Sequence, residues 1–514
     1  MANSPVSFKL WVLKTFIVLS ILVPSSIIAN PLNFKANKIQ KTYTTQYENV
    51  LGTSFELKVK AASNKQAVYA EKIALSEIAR LSKILSSYNP NSEFSIWCKT
   101  QGKAVKVSPE LLEVLSFYEK WNKLTKGALN PAFEIVNQIW VKAGTNQQLP
   151  TNDQLNAAVK IANEKQWTID YNNATVTHLT NTPLVLNTFV KSFIIQKTTQ
   201  KILNQTGVSN VVMNIGGDVL VQGDEVEIVQ IVDPKADAIN DPAIDKVNLQ
   251  NQFIATSGNY RRGVLINNQW YSHIIDPRSG QPAGQVISAS VISKNPVDAG
   301  ALATAFNILS VNESIALAQK FPDAEYFIVA KNGDMIKSAH WKDIEVTAPK
   351  PAKNIAFPVK ENQWDPTYEM LINLDLAQFQ GPSRRPFVAI WVEDKAPVRN
   401  LALWYNKPRW LHDLRAWYNA NYGKYNVETG SISALSSATR SPGKYTIKWD
   451  GKDDKGEYVK TGNYTINIEV VREHGTYQLI TQEIKINNKV NKIELAANTE
   501  VAAASIELKK KSDE

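Results

Sequence analysis

The stretch WYSHIIDPRSGQPAG, Trp270 to Gly284, carries one of five histidines in the chain, His273. Asp276 follows three residues later, then Arg278 and two glycines. Just upstream, IATSGNYRRGVL places Thr256, Ser257 and Gly258. An imidazole titrates near neutral pH, which suits a general base for a hydroxyl or a water. The alternative is a sheet edge with polar decoration. A second stretch, SNVVMNIGGDVLVQG, reads as strand, double-glycine turn and strand. Gly216 and Gly217 there permit positive φ or close approach of backbone to a ligand. Ordinary hairpins use the same residues.

These segments need elements to position them. LGTSFELKVKA, from Leu51, reads as a strand led by Gly52. The run KQAVYAEKIALSEIARLSKILSSY spaces its apolar residues three and four apart, which predicts a helix ending at Tyr88. PELLEVLSFYEKWNKLTKG predicts a second helix, closed by Gly127. Helix-like and strand-like patterns alternate from residue 42 to residue 345, the first large domain. Residues 346–362 are rich in Pro and Lys without periodicity and read as a linker. Period-two strands with Gly, Asp and Asn turns follow over 363–494, which predicts an antiparallel β-sandwich. Residues 495–514, rich in Ala, Glu and Lys, read as a flexible tail.

Composition bounds the function. With 44% hydrophobic residues, the 514-residue chain can bury a core for two or three domains. The net charge of +9 comes from scattered lysines, the pattern of a solvated face rather than of a nucleic-acid site. Lys9 and Lys14 flank the start of an apolar run, Thr15 to Val23, followed by Pro24. That run is shorter than the ~20 residues of a membrane span. It reads as a signal peptide over residues 1–29, cleaved near Ala29, with a periplasmic mature chain beginning near Asn30. The alternative is an uncleaved anchor. The sole cysteine is Cys98, so neither an N-terminal lipid-modified cysteine nor an intrachain disulfide is expected. No later segment is apolar for long enough to span a membrane.

The blocks LGTSF, LSSYNPNSEFS, TKGALNPAF, NTFVKSF, NIGGDVLVQG, ATSGNYRR, YSHIIDPRSGQP and DAGALATAFNIL occur in the order found in the FAD:protein FMN transferase family, ApbE. Residues 42–345 resemble that family. The segment WDGKDDKGEYVKTGNYTI resembles an immunoglobulin-like sandwich. The expected fold class is α+β, an ApbE-like transferase domain followed by an antiparallel β-sandwich. The resemblance implies phosphoryl transfer. FAD is the substrate, Mg²⁺ sits on its pyrophosphate, and the threonine hydroxyl of an acceptor flavoprotein attacks the phosphorus of the FMN half as AMP leaves.

Carried over position by position, His273 is the candidate base, and Asp276 orients its imidazole or fixes the local turn. Tyr88 matches the aromatic that packs on the flavin nucleotide. Asn130, Lys191, Asn214, Gly216, Gly217, Asp218, Ser257, Gly258 and Ile274 fall in the nucleotide-binding blocks. Lys191 stands where the family often has lysine before glycine. Thr188, through its carbonyl, and Thr304 match metal ligands, with Asp298 as the nearest carboxylate.

The departures are specific. Family acidic positions are Asn130, Val185 and Gly300 here, and two glycines are Asn187 and Thr188. Four residues along a helix return to within about 40° of the same face, so a carboxylate at position 300 would face one cation together with Thr304. Asp298, six residues before Thr304, falls about 240° away on a continuous helix. It could serve as a ligand if the helix begins near Ala299, or it caps the helix. Gly300→Asp should be tolerated, since a mid-helix glycine costs ~1 kcal/mol relative to alanine. Two functions stay open: an exported transferase, and a degenerate flavin-binding or partner-binding module on the same fold.

Overall fold

A computed structural model describes residues 40–259, 262–346, 362–379, 385–405, 408–421, 436–437, 442–472 and 475–511. The expected signal segment 1–29 and nearly all of the linker 346–362 lie outside the described residues.

An eight-stranded sheet forms the base of the first domain. Its order is Lys41–Val50, Thr53–Ala61, Asn210–Ile215, Asp218–Gly223, Gln252–Gly258, Val286–Ser293, Glu325–Ala330 and Met335–Lys337. Every neighbouring pair is antiparallel. Alternate residues divide between two cores, as the period of two demands. Phe55, Leu57, Val59, Val211, Met213 and Ile215 join the helix-side core. Val212, Val219, Val221 and Ile254 point the other way, toward Val247, Leu249 and Trp341.

The helices before residue 320 are α1 (Asn64–Leu85), α2 (Glu93–Trp97), α3 (Pro109–Leu124), α4 (Glu134–Asn146), α5 (Asn152–Ala162), α6 (Val190–Thr206), α7 (Pro296–Ile308) and α8 (Val311–Ala318). The first ends at Leu85, short of the expected Tyr88, because Ser86 turns to an extended conformation. Residues 86–88 thereby leave the helix and are held by hydrogen bonds from Ser92, Ser95, Leu186 and Asn187. Helix α3 ends at Leu124 and Gly127 adopts φ +90°, beyond the cap. Helix α7 is buried nearly all round, through Ala299, Gly300, Ala301, Leu302 and Ala303. Such an apolar cylinder belongs inside a domain.

The second domain is a sandwich. One sheet runs Gly443–Trp449, Tyr368–Leu376, Val501–Lys510, Asn491–Leu495. The other runs Ser436–Ser437, Ala396–Trp404, Pro386–Asp394, Gly462–Arg472, Tyr477–Ile486. All pairs are antiparallel except the short parallel contact of Ser436–Ser437. Trp364, Ile372, Val388, Ile390, Trp449, Ile466 and Ile506 fill the space between the sheets.

The expected flexible tail over 495–514 is corrected by this sheet. Val501–Lys510 is an interior strand, paired on both sides. Its Val501, Ala504, Ile506 and Leu508 are core residues. Strand formation here depends on partners rather than on local propensity.

The two domains touch. Ile239 N–H donates to the Thr446 carbonyl at 2.8 Å, and the Asn240 side chain exchanges two hydrogen bonds with the Lys448 backbone. The Lys448 ammonium lies against Asp237 and Asp241. No helix among the described residues is long and apolar enough to cross a membrane.

Candidate functional site

A cavity of about 850 Å³ opens between the end of α1, the N-terminal half of α6, the last turn of α7 and the loop after Gln269–Ser272. His273 lines it. The strands Gly263–Ile266 and Gln269–Ser272 form a hairpin that delivers this residue. Its Nδ1 lies 2.9 Å from the Arg262 carbonyl oxygen, and its backbone N–H donates to the same oxygen. A carbonyl can only accept, so Nδ1 carries the proton and Nε2 the lone pair. Partial desolvation by the pocket walls lowers the imidazole pKa below its ordinary value, with the Arg262 charge acting in the same direction. The ring is therefore neutral near pH 7, the state a base requires.

Asp276 does not orient this imidazole. It binds Arg278 through both carboxylate oxygens, at 2.8 to 3.1 Å, and accepts the Arg278 backbone N–H. Its carbonyl accepts from Ser279 and Gly280. Of the two expected roles, orientation is corrected and the local turn stands. Arg278 continues to Glu313 at 2.9 Å, which ties the turn to the first turn of α8.

A small separate core supports the same hairpin from outside. Val136, Trp140, Ala143, Leu155 and Ala158 of α4 and α5 pack against Ile266 and Ile275. The Trp140 indole N–H donates to the Gly280 carbonyl at 2.8 Å, and its ring lies 5.1 Å from that of Tyr271. Gly280 sits at φ +72°, where a side chain would crowd Val159 and Leu155. Sequence reasoning missed Trp140. Its signal, an apolar aromatic on a helix, looks the same as any core residue.

Tyr88 stands on the pocket wall with 77% of its surface exposed, held by a 2.7 Å bond from the Asn187 amide to its hydroxyl. Asn130 also lines the pocket, its amide spent on the Ala162 carbonyl and the Ala132 N–H. Ser257 and Ile274 line it too.

Lys191 reaches the pocket from α6 and pairs with Asp218 at 3.0 Å. Asp218 is buried behind it. Burial raises its pKa and the Lys191 charge pulls it back in part. Asn214 accepts the Gly217 N–H and shapes the turn. Of the double glycine only Gly216 reaches the pocket, and a Cβ there would lie 2.7 Å from the Thr53 hydroxyl. Asn214, Gly217, Asp218 and Gly258 are not among the lining residues. Arg262, which sequence reasoning quoted without a role, is.

The donor set for a divalent cation does not assemble. Thr188 and Thr304 do meet at the pocket, with the Thr304 hydroxyl 3.4 Å from the Thr188 carbonyl oxygen and 3.0 Å from that of Gly300. Asp298 is elsewhere. Helix α7 begins at Pro296, with Asn295 as its cap accepting from Val297 and Asp298. The expectation that Asp298 is a ligand or the cap is thus corrected. It sits in the first helical turn, 3.8 Å from Lys120, outside the pocket lining. Among the described residues no aspartate or glutamate lines the pocket, and no group of three His, Cys, Asp or Glu gathers anywhere. A hard divalent cation wants anionic oxygens, and two neutral ones do not fit it.

The fold and pocket define an α+β protein with a sandwich appended to a cleft-bearing domain. The ApbE family model matches residues 51–328, more than half of the chain, and a model described as a predicted periplasmic protein (DUF2271) matches residues 369–503. The chain belongs to the ApbE family. It is 27% identical to a Vibrio cholerae FAD:protein FMN transferase over 283 residues, covering 52% of this chain and 82% of that one. A Haemophilus influenzae protein of the same name is 27% identical over 307 residues, covering 56% and 87%. The crystal structure of the Thermotoga maritima ApbE protein superposes with a TM-score of 0.53 at 24% identity, over 60% of this chain and all of that one. That likeness speaks for the fold.

Proposed function

We propose that this chain is an exported FAD:protein FMN transferase acting in the periplasm on a threonine of an acceptor flavoprotein. The observation that carries the reading is His273, a neutral imidazole whose Nδ1 is fixed by the Arg262 carbonyl while its ring lines a cavity of about 850 Å³. Family membership and the names of the relatives supply the reaction class. In this reading Tyr88 lies on the flavin, and Lys191 and Arg262 face the diphosphate. The acceptor hydroxyl gives its proton to Nε2 of His273 as its oxygen bonds to the phosphorus of the FMN half. The diphosphate P–O bond breaks and AMP leaves with the bonding electrons. A positioned base typically contributes 10² to 10⁴ in rate, so about that factor rests on His273.

The periplasmic placement draws on the match to a periplasmic domain model and on the signal-like run at Thr15–Val23. N-terminal sequencing of the exported protein should find a start near Asn30, and a retained Met1 would refute it.

One observation favours a second reading, a non-catalytic flavin-binding or partner-binding module: no carboxylate lines the pocket among the described residues. One experiment separates the two. The purified chain is incubated with FAD and a threonine-motif acceptor, followed by intact mass and AMP analysis. An FMN adduct with equimolar AMP supports the transferase. FAD binding with neither product supports the module.

A further inference from the structure

Gly300 points its open side at α6. A Cβ built on it would lie 2.3 Å from the Ser192 hydroxyl oxygen, 3.2 Å from the Ser192 Cβ and 3.5 Å from the Phe189 Cβ. Ser192 is 1% exposed, so its side chain would have to shift within packed surroundings to admit one. The hydroxyl therefore occupies the path by which any side chain would leave position 300. This overturns the expectation that Gly300→Asp is tolerated. The limit is not helix propensity but a buried neighbour on another helix.

We infer that the pocket binds its flavin dinucleotide without a divalent cation, and that the Ser192–Gly300 pair sets this property. The inference rests on the reading of the pocket as an FAD site. Three observations lead to it. The space for a carboxylate beside Thr304 is filled by Ser192. Thr304 donates its hydroxyl proton to the Gly300 carbonyl at 3.0 Å, so the oxygens at the place, its own and the two carbonyls beside it, are neutral. The charges that line the pocket are cationic, Lys191 and Arg262, the first held in place by Asp218. A diphosphate meets positive side chains there directly, and an added divalent ion would be repelled by them while gaining no anionic ligand from the described side chains that line the pocket.

The test titrates FAD into the full mature chain and follows the quenching of flavin fluorescence, once in EDTA and once in millimolar Mg²⁺. Equal affinity, within about twofold, is expected. A gain of about tenfold or more with Mg²⁺ overturns the inference and leaves the flavin reading intact. Absence of FAD binding in both buffers overturns both. In parallel, Mn²⁺ binding is read by electron paramagnetic resonance. The chain itself should bind no Mn²⁺ in the presence of FAD. The double variant Ser192→Gly/Gly300→Asp should acquire Mn²⁺ binding, because it removes the obstructing hydroxyl and supplies the carboxylate. Gly300→Asp alone should lose soluble yield. A folded double variant that binds no Mn²⁺, or a tight Mn²⁺ site in the unmodified chain, would refute the role of the pair.

Discussion

Trp140→Phe isolates the bond that anchors the His273 loop. The substitution keeps an aromatic ring against Tyr271 but deletes the indole donor to the Gly280 carbonyl, a bond of 2.8 Å at a residue 4% exposed. Gly280 is itself buried, so its carbonyl is left without that partner. An orphaned buried acceptor costs about 1–3 kcal/mol. The smaller ring also leaves space beside Val136 and Leu155, which adds to the loss. The chain has two domains, so a single unfolding midpoint would blur the effect. Hydrogen exchange read by mass spectrometry on the peptide around residues 274–284 reports it locally. The amides of Asp276, Gly280 and Ala283 are hydrogen-bonded within this loop. Their protection should fall roughly 5- to 150-fold, the equivalent of 1–3 kcal/mol. FMN transfer should slow in step, because the loop holds the base His273, and FAD affinity should fall less, because Tyr88, Lys191 and Arg262 line the pocket from other elements. Unchanged protection in a folded variant would show that the bond does not hold the loop.

His273→Ala should lower transfer by 10² to 10⁴ while FAD affinity stays within severalfold, and unchanged turnover would refute the assignment. Because the His273 pKa is lowered, the base stays neutral further into acid, so the acid limb of kcat/KM should fall below the ordinary histidine value of about 6.5. A midpoint above that value contradicts the desolvated environment. In the sandwich, Glu500→Ala removes the carboxylate that binds Arg472 at 2.8 and 3.1 Å with both groups buried, and should destabilise that domain by up to about 3–5 kcal/mol in urea unfolding. Truncation after Asn498 removes the strand Val501–Lys510 and should leave the sandwich open to proteolysis. A protease-resistant truncated domain would contradict its interior place.

The local patterns of the chain carried their information a long way. The period-two runs after residue 363 became sandwich strands, and the glycine pair at 216–217 became a turn at positive φ. His273 lines the pocket together with Tyr88, Asn130, Thr188, Lys191, Ser257, Ile274 and Thr304. These features depend on steric limits and on periodicity, which neighbours in sequence already contain. Three others depend on residues far apart. Asp276 had two possible roles, and the geometry chose the turn, because a fork of guanidinium donors on Arg278 two residues away closes it in a way that an imidazole three residues back cannot. Residues 501–510 look like a tail in composition, yet strands on both sides supply their hydrogen bonds and their core. Gly300 read as a tolerant mid-helix glycine until α6 placed Ser192 against it. Propensity acts along the chain, whereas excluded volume and charge pairing act across it, and only the packed structure brings the second kind of neighbour together.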